Sequence, residues 1–126
     1  MSRSDYDDDL DNWALIKYRG QVASAMRGKR GQRLLRDMAA ALDGMADKRL
    51  IADKIEDSEG MVCALGAVAK FRGVSEHIDV DDTNYEEVAD MLDIARPLAR
   101  EVAFMNDEWF TKSPEHRWAG MRRWVD

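Results

Sequence analysis

"WALIKYRGQVASAMRGKRGQRLLRDMAAALDGM" occupies residues 13–45, and its spacing decides the fold class. Leu15, Tyr18, Val22 and Ala25 recur at helical intervals, with Trp13, Ile16 and Ala23 in a stripe beside them. A face this broad suits a helix packed on two neighbours, and it predicts a first helix over 8–27. Asp8, Asp9 and Asp11 would stand at its start, where carboxylates complement the helix dipole. Gly28 is expected to end it in the left-handed conformation. Leu35, Met38, Leu42 and Met45, with Leu34 and Ala41 beside them, predict a second helix from Gly31 or Gln32 to Met45. The short connection makes the two an antiparallel pair.

Outward from this pair the pattern stays helical. "ALGAVAKFR" (64–72) predicts a helix stopping at Gly73, and its small residues Ala64, Gly66, Ala67 and Ala69 would admit close approach by another element. Thr83 and Glu86 have capping-box spacing and open a helix running to about Leu92. A further helix is expected from Pro97 to about Met105. The last opens on "SPEH", with Ser113 as N-cap and Pro114 at the first helical position, and carries Trp118, Met121 and Val125 on one side with Trp124 adjacent. Residues 49–63 admit two readings: a β-hairpin with strands near 49–55 and 61–63, or a further helical turn. The expected architecture is a mainly α bundle of five or six helices in a single domain over 1–126, with one short hairpin as the open option.

Composition agrees. The chain has 126 residues, 45% of them hydrophobic and 35% charged, which suits one globular domain with a single core. No apolar run reaches the roughly 18 residues that span a bilayer. The acidic opening "MSRSDYDDDLDNW" lacks a signal peptide's basic and apolar regions, and a single cysteine precludes an internal disulfide, so the expected location is the cytoplasm.

Charge is unevenly distributed within the net −6. Residues 12–36 hold Lys17, Arg19, Arg27, Lys29, Arg30, Arg33 and Arg36 and no acid; residues 74–95 hold eight acids and no base. The cluster Arg27, Lys29, Arg30, Arg33 and Arg36 falls where two helices meet, a candidate site for an anion at a helix start. Its counter-charge could be a nucleic-acid phosphate, an acidic partner protein or the chain's own 74–95 segment. Asp79, Asp81, Asp82, Glu86, Glu87 and Asp90 form a candidate acidic interaction surface, either a solvated loop or an imitation of nucleic acid in a basic groove. Residues 86–104 resemble a helix-turn-helix. Asp93 stands where that motif has glycine, and Glu86, Glu87, Asp90 and Asp93 would repel phosphates, so a helical hairpin packed into the core is the preferred reading.

No constellation points to catalysis. His77 and His116 lack metal-ligand spacing with Cys63, and Cys63 sits in an apolar context that suits a buried thiol. "DYDDDLD" (5–11) lacks the glycine and glutamate of a calcium loop, carrying Leu10 and Ile16 instead. No phosphate loop or dinucleotide fingerprint is present, and nothing separates Asp107 and Glu108 from surface carboxylates. The expectation is a protein that is not an enzyme and needs no cofactor or metal.

"DLDNWALIKYRGQVASAMRGKRGQRLLRDMAAALD" (9–43), "MVCALGAVAKFRGV" (61–74), "MNDEWF" (105–110) and "SPEHRWAGMRRWV" (113–125) resemble small uncharacterised proteins of temperate phages and prophages of Gram-negative bacteria. The resemblance covers nearly the whole chain. It implies genomic context rather than mechanism, since that family brings no assigned catalytic or ligand residues. Small phage accessory proteins without catalytic motifs often bind and block a host machine, CRISPR effectors and other defence complexes among them. The leading expectation is therefore a non-enzymatic inhibitor or modulator of a host protein or ribonucleoprotein complex. The alternative is a nucleic-acid-binding regulator or recombination accessory using the basic turn 27–36 or the segment 86–104. Neither needs a membrane, and a homo-oligomer stays open.

Overall fold

A computed structural model describes residues 12–74 and 85–126. Among them are α1 (Asn12–Arg27), α2 (Lys29–Asp43), α3 (Ala64–Arg72), α4 (Tyr85–Leu92), α5 (Arg96–Phe104), a single π turn (Met105–Trp109) and α6 (Pro114–Trp124). The fold is mainly helical, with no sheet among the described residues. α5 is the central element: α1, α3 and α4 pack on it, and its end continues into the π turn. Leu98, Ala99, Val102 and Ala103 supply its inward face, all fully buried. α2 packs on α1, α3 and α6 through Leu34, Met38, Ala41 and Leu42. Leu35, at the margin of the stripe set by Leu34, Met38 and Ala41, is only half-buried, as is Met45, which lies beyond the end of α2 at Asp43.

The junction between α1 and α2 departs from expectation. Gly28 has φ −72° and ψ 166°, an extended conformation open to any residue, and it serves as the N-cap of α2. α2 therefore begins at Lys29, nearer α1 than the sequence suggests. Gly31 is the glycine the junction requires: a β-carbon there would overlap the Ala25 carbonyl oxygen in the last turns of α1. Close helix approach, rather than a left-handed turn, is the reason for glycine at this corner.

Residues 49–63 form neither expected element. A lone antiparallel bridge joins Glu56 and Val62, closed by a turn in which the Gly60 N–H donates to the Asp57 carbonyl at 3.1 Å. The predicted first strand fails at Asp53, whose φ of 66° reverses the chain midway. The segment is closed on itself by the Cys63 N–H donating to the Ile55 carbonyl at 3.1 Å and pinned to α6 by the Leu50 N–H donating to the Pro114 carbonyl at 3.1 Å. Gly66 lets it lie against α3, since a β-carbon there would strike the Ile55 carbonyl oxygen. Close approach at the small residues of α3 was the expected use.

Two helix ends follow their sequence signals, and a third has a cap the sequence analysis did not name. Gly73 closes α3 with φ 75°. The Ser113 Oγ accepts the His116 N–H at 3.0 Å, with Pro114 opening α6. Buried Cys63 caps α3, its Sγ accepting the Gly66 N–H at 3.5 Å. Thr83 and the start predicted for the first helix at residues 8–11 lie outside the described residues. No helix among the described residues is long and apolar enough to cross a membrane.

Candidate functional site

The basic cluster lies along one edge of the molecule. Lys29, Arg33 and Arg36 stand at i, i+4 and i+7 on the outer side of α2, opposite its buried stripe. Arg27 ends α1 beside them, and all five residues of the cluster are exposed. Of the five, Arg30 has a described acidic partner: its Nη1 stands 3.0 Å from Asp93 Oδ1, with both side chains well exposed. Arg27, Lys29, Arg33 and Arg36 make no ion pair among the described residues. Gly28 has no side chain to cap the first turn of α2, so the orphan N–H groups there add to the positive field.

Two concavities open on this edge. A groove of about 700 Å³ runs between α1, the start of α2 and the start of α5, lined by Lys17, Gln21, Ser24, Lys29, Arg30 and Pro97 among others. A smaller cleft of about 180 Å³ lies where α2, α3 and α4 meet, and Arg30 and Arg33 of α2 share it with Arg72. Arg30 borders both. The sequence signals Arg72 only as a base near a helix end. Its convergence with Arg30 and Arg33 depends on α3 packing against α2, which no local pattern encodes.

The acidic surface is partly neutralised. Arg96 donates from Nη2 to Asp90 Oδ2 at 2.8 Å and reaches Glu86 Oε2 from Nη1 at 3.3 Å. The Arg96 hydrogen bond holds the Asp90 carboxyl below its ordinary pKa. Glu87 is exposed on α4; Asp79, Asp81 and Asp82 lie outside the described residues. Among the described residues the basic and acidic segments touch where Arg30 meets Asp93, and Arg72, outside the basic segment, donates to the Leu92 carbonyl at 2.6 Å.

The helix-turn-helix likeness resolves into a core hairpin. Asp93 adopts φ 53°, supplying the left-handed turn that the motif takes from glycine. α5, however, has no open face for a groove of DNA. Of its residues only Arg96 is exposed, and Arg96 is engaged with Glu86 and Asp90. Arg100 lies over the Tyr18 ring, 5.2 Å from its centroid. Tyr18 in turn donates its hydroxyl to Glu101 Oε2 at 3.1 Å.

A buried polar cluster escaped the sequence reading. Asn106, fully buried in the π turn, accepts the Ala64 N–H at Oδ1 (3.1 Å) and donates from Nδ2 to the Ile51 carbonyl (2.8 Å) and Asp107 Oδ1 (2.8 Å). Asp107 is buried and accepts the Asp53 N–H at 3.1 Å, while Glu108 is exposed. Buried Arg117 donates to the carbonyls of Asn106 (2.7 Å) and Leu50 (3.0 Å). The cluster ties residues 50–64 to the π turn and α6. Asn106 extends the buried register of Leu98 and Val102, so a polar residue at a core position was the signal available. No group of three or more metal-ligating side chains converges among the described residues.

No protein-family model matches the chain, and neither curated proteins nor solved structures yield a match.

Proposed function

We propose that the chain is a small non-enzymatic binding protein that engages phosphates through the edge formed by α1 and α2, on nucleic acid or on a host ribonucleoprotein complex that displays it. The observation that carries this is the imbalance of pairing: Arg27, Lys29, Arg33 and Arg36 stand exposed without described acidic partners, whereas Glu86 and Asp90 are held by Arg96. Unpaired cations on one edge are the footprint of a polyanion-binding surface. The resemblance to phage and prophage proteins makes interference with a host machine, including a defence complex, the biological setting in which such a surface would work. Mimicry of nucleic acid by the acidic segment draws less support, because two of its carboxylates are engaged internally.

The test is binding of the purified chain to duplex and single-stranded oligonucleotides across a salt series. If four cations each neutralise a phosphate, log K against log salt falls with a slope of roughly −3 to −4 on duplex. Replacing Arg27, Lys29, Arg33 and Arg36 together with Ala abolishes binding. Binding insensitive to salt, or unchanged in the quadruple variant, refutes the proposal.

A further inference from the structure

We propose that the cleft between α2, α3 and α4 binds a phosphate monoester, specifically the phosphorylated end of a nucleic-acid strand. This rests on the phosphate-binding reading above and narrows it to one class of ligand. The cleft is lined by Arg30, Arg33, Arg72, Met91, Leu92 and Asp93. Its three guanidiniums come from two helices and differ in how firmly they are held.

Arg72 is the fixed one. Its Nε donates to Asp37 Oδ2 at 2.7 Å and its Nη1 to the Leu92 carbonyl at 2.6 Å, with the side chain only 18% exposed. Arg30 is held loosely, by Asp93 at 3.0 Å, and side-chain exposures of 59% and 79% make that pair an easily exchanged one. Arg33 is exposed and makes no ion pair among the described residues. The Asp93 carboxylate thus occupies the position an incoming oxyanion would take on Arg30, and acts as an internal stand-in for it.

Charge selects the ligand. Among the described residues, three guanidiniums face two carboxylates, Asp37 and Asp93. When a ligand displaces Asp93, Asp37 remains on Arg72 and two positive charges are left to satisfy. A phosphate monoester carries about −1.5 to −2 at neutral pH and matches that demand. A backbone diester, with one negative charge, merely replaces Asp93. Size agrees: about 180 Å³ falls below the roughly 300–1,000 Å³ of pockets that enclose whole small molecules. It suits a phosphoryl group whose attached chain leaves the cleft. Arg33 belongs both to the cleft and to the stripe with Lys29 and Arg36, so the following diesters of the same strand would lie along α2.

Fluorescence anisotropy tests this on the full chain, using internally labelled oligonucleotides that carry a 5′-phosphate, a 3′-phosphate or hydroxyls at both ends. A terminal phosphate is expected to tighten binding roughly tenfold, the worth of added charge-assisted hydrogen bonds. That gain disappears in R33A and grows in D93N, where asparagine tolerates the left-handed backbone and removes the competing carboxylate. It also fades below about pH 6 as the monoester dianion takes up a proton and becomes a monoanion. Equal affinity for all three ends overturns the strand-end proposal while leaving the phosphate-binding edge standing. No binding of any strand overturns both. Competition by inorganic phosphate that depends on Arg33, without preference among strand ends, assigns the cleft to free phosphate and overturns the strand-end proposal.

Discussion

At the scale of single residues, two side-chain environments have measurable consequences. Gly31 sits where α2 crosses the last turns of α1, with the Ala25 carbonyl oxygen in the space a β-carbon would fill. That neighbour is backbone and cannot rotate away. Gly31→Ala should therefore destabilise the fold by about 1–3 kcal/mol, the usual cost of overpacking, seen as a lower midpoint in chemical denaturation. Gly20→Ala, with open space around it, is the control and should leave the midpoint unchanged or higher. Glu101 is the second case. Burial raises its pKa, partly offset by the Tyr18 hydroxyl and by Arg19. A carboxyl raised in the folded state favours folding when protonated, and that favour is lost as pH rises through its folded pKa. Glu101→Gln should accordingly raise the melting temperature at pH 7, with the difference from the parent protein shrinking toward pH 4. A difference that stays constant with pH would show that ionisation of Glu101 carries no cost.

At the scale of elements, the π turn and its buried amide govern the irregular half of the chain. Asn106 satisfies the Ala64 N–H at the start of α3 and the Ile51 carbonyl in the 49–63 segment. Asn106→Ala leaves both without their partner inside the fold. At about 1–3 kcal/mol for each unsatisfied buried group, the loss should be at least about 2 kcal/mol. Hydrogen exchange should report it first at Ile51–Ala64, with α4 unaffected. Uniform acceleration across all helices would mean that the π turn holds no local unit. By contrast, the Arg96 pairs with Glu86 and Asp90 are exposed, and Arg96→Ala should leave the denaturation midpoint nearly unchanged. The same substitution should leave oligonucleotide affinity intact, because Arg96 is already engaged by Glu86 and Asp90.

At the scale of the whole molecule, charge segregation sets what the protein can meet. A net charge of −6 predicts general repulsion from nucleic acid, yet Arg27, Lys29, Arg33 and Arg36, exposed and without described acidic partners, are gathered on one edge, where they favour anions. A tagged chain drawn through a bacterial lysate should retain material that nuclease releases. Charge reversal at Lys29, Arg33 and Arg36 should abolish that retention. A stoichiometric protein complex held after nuclease and through charge reversal would place the contact on another surface. The helices, their order and most of their ends were legible because apolar periodicity and capping chemistry are local. Gly73, Ser113 and Pro114 act through neighbours within one turn, and the structure places each where its residue type requires.

The sequence by itself determined a mainly α fold, the positions of its helices and the existence of a basic run with no acid in it. Each follows from interactions among residues a few positions apart. Tertiary structure alone decided that Gly31, rather than Gly28, is the glycine that joins α1 to α2, because the constraint is the Ala25 carbonyl of another helix. It alone decided that 49–63 closes on itself through one bridge only and is pinned to α3, the π turn and α6 through Asp53, Asn106 and Arg117. It also brought Arg72 to Arg30 and Arg33, and gave Arg96 and Arg100 to Asp90 and Tyr18. Most of these pairings join residues dozens of positions apart, and only the packing of helix on helix sets the distances between them.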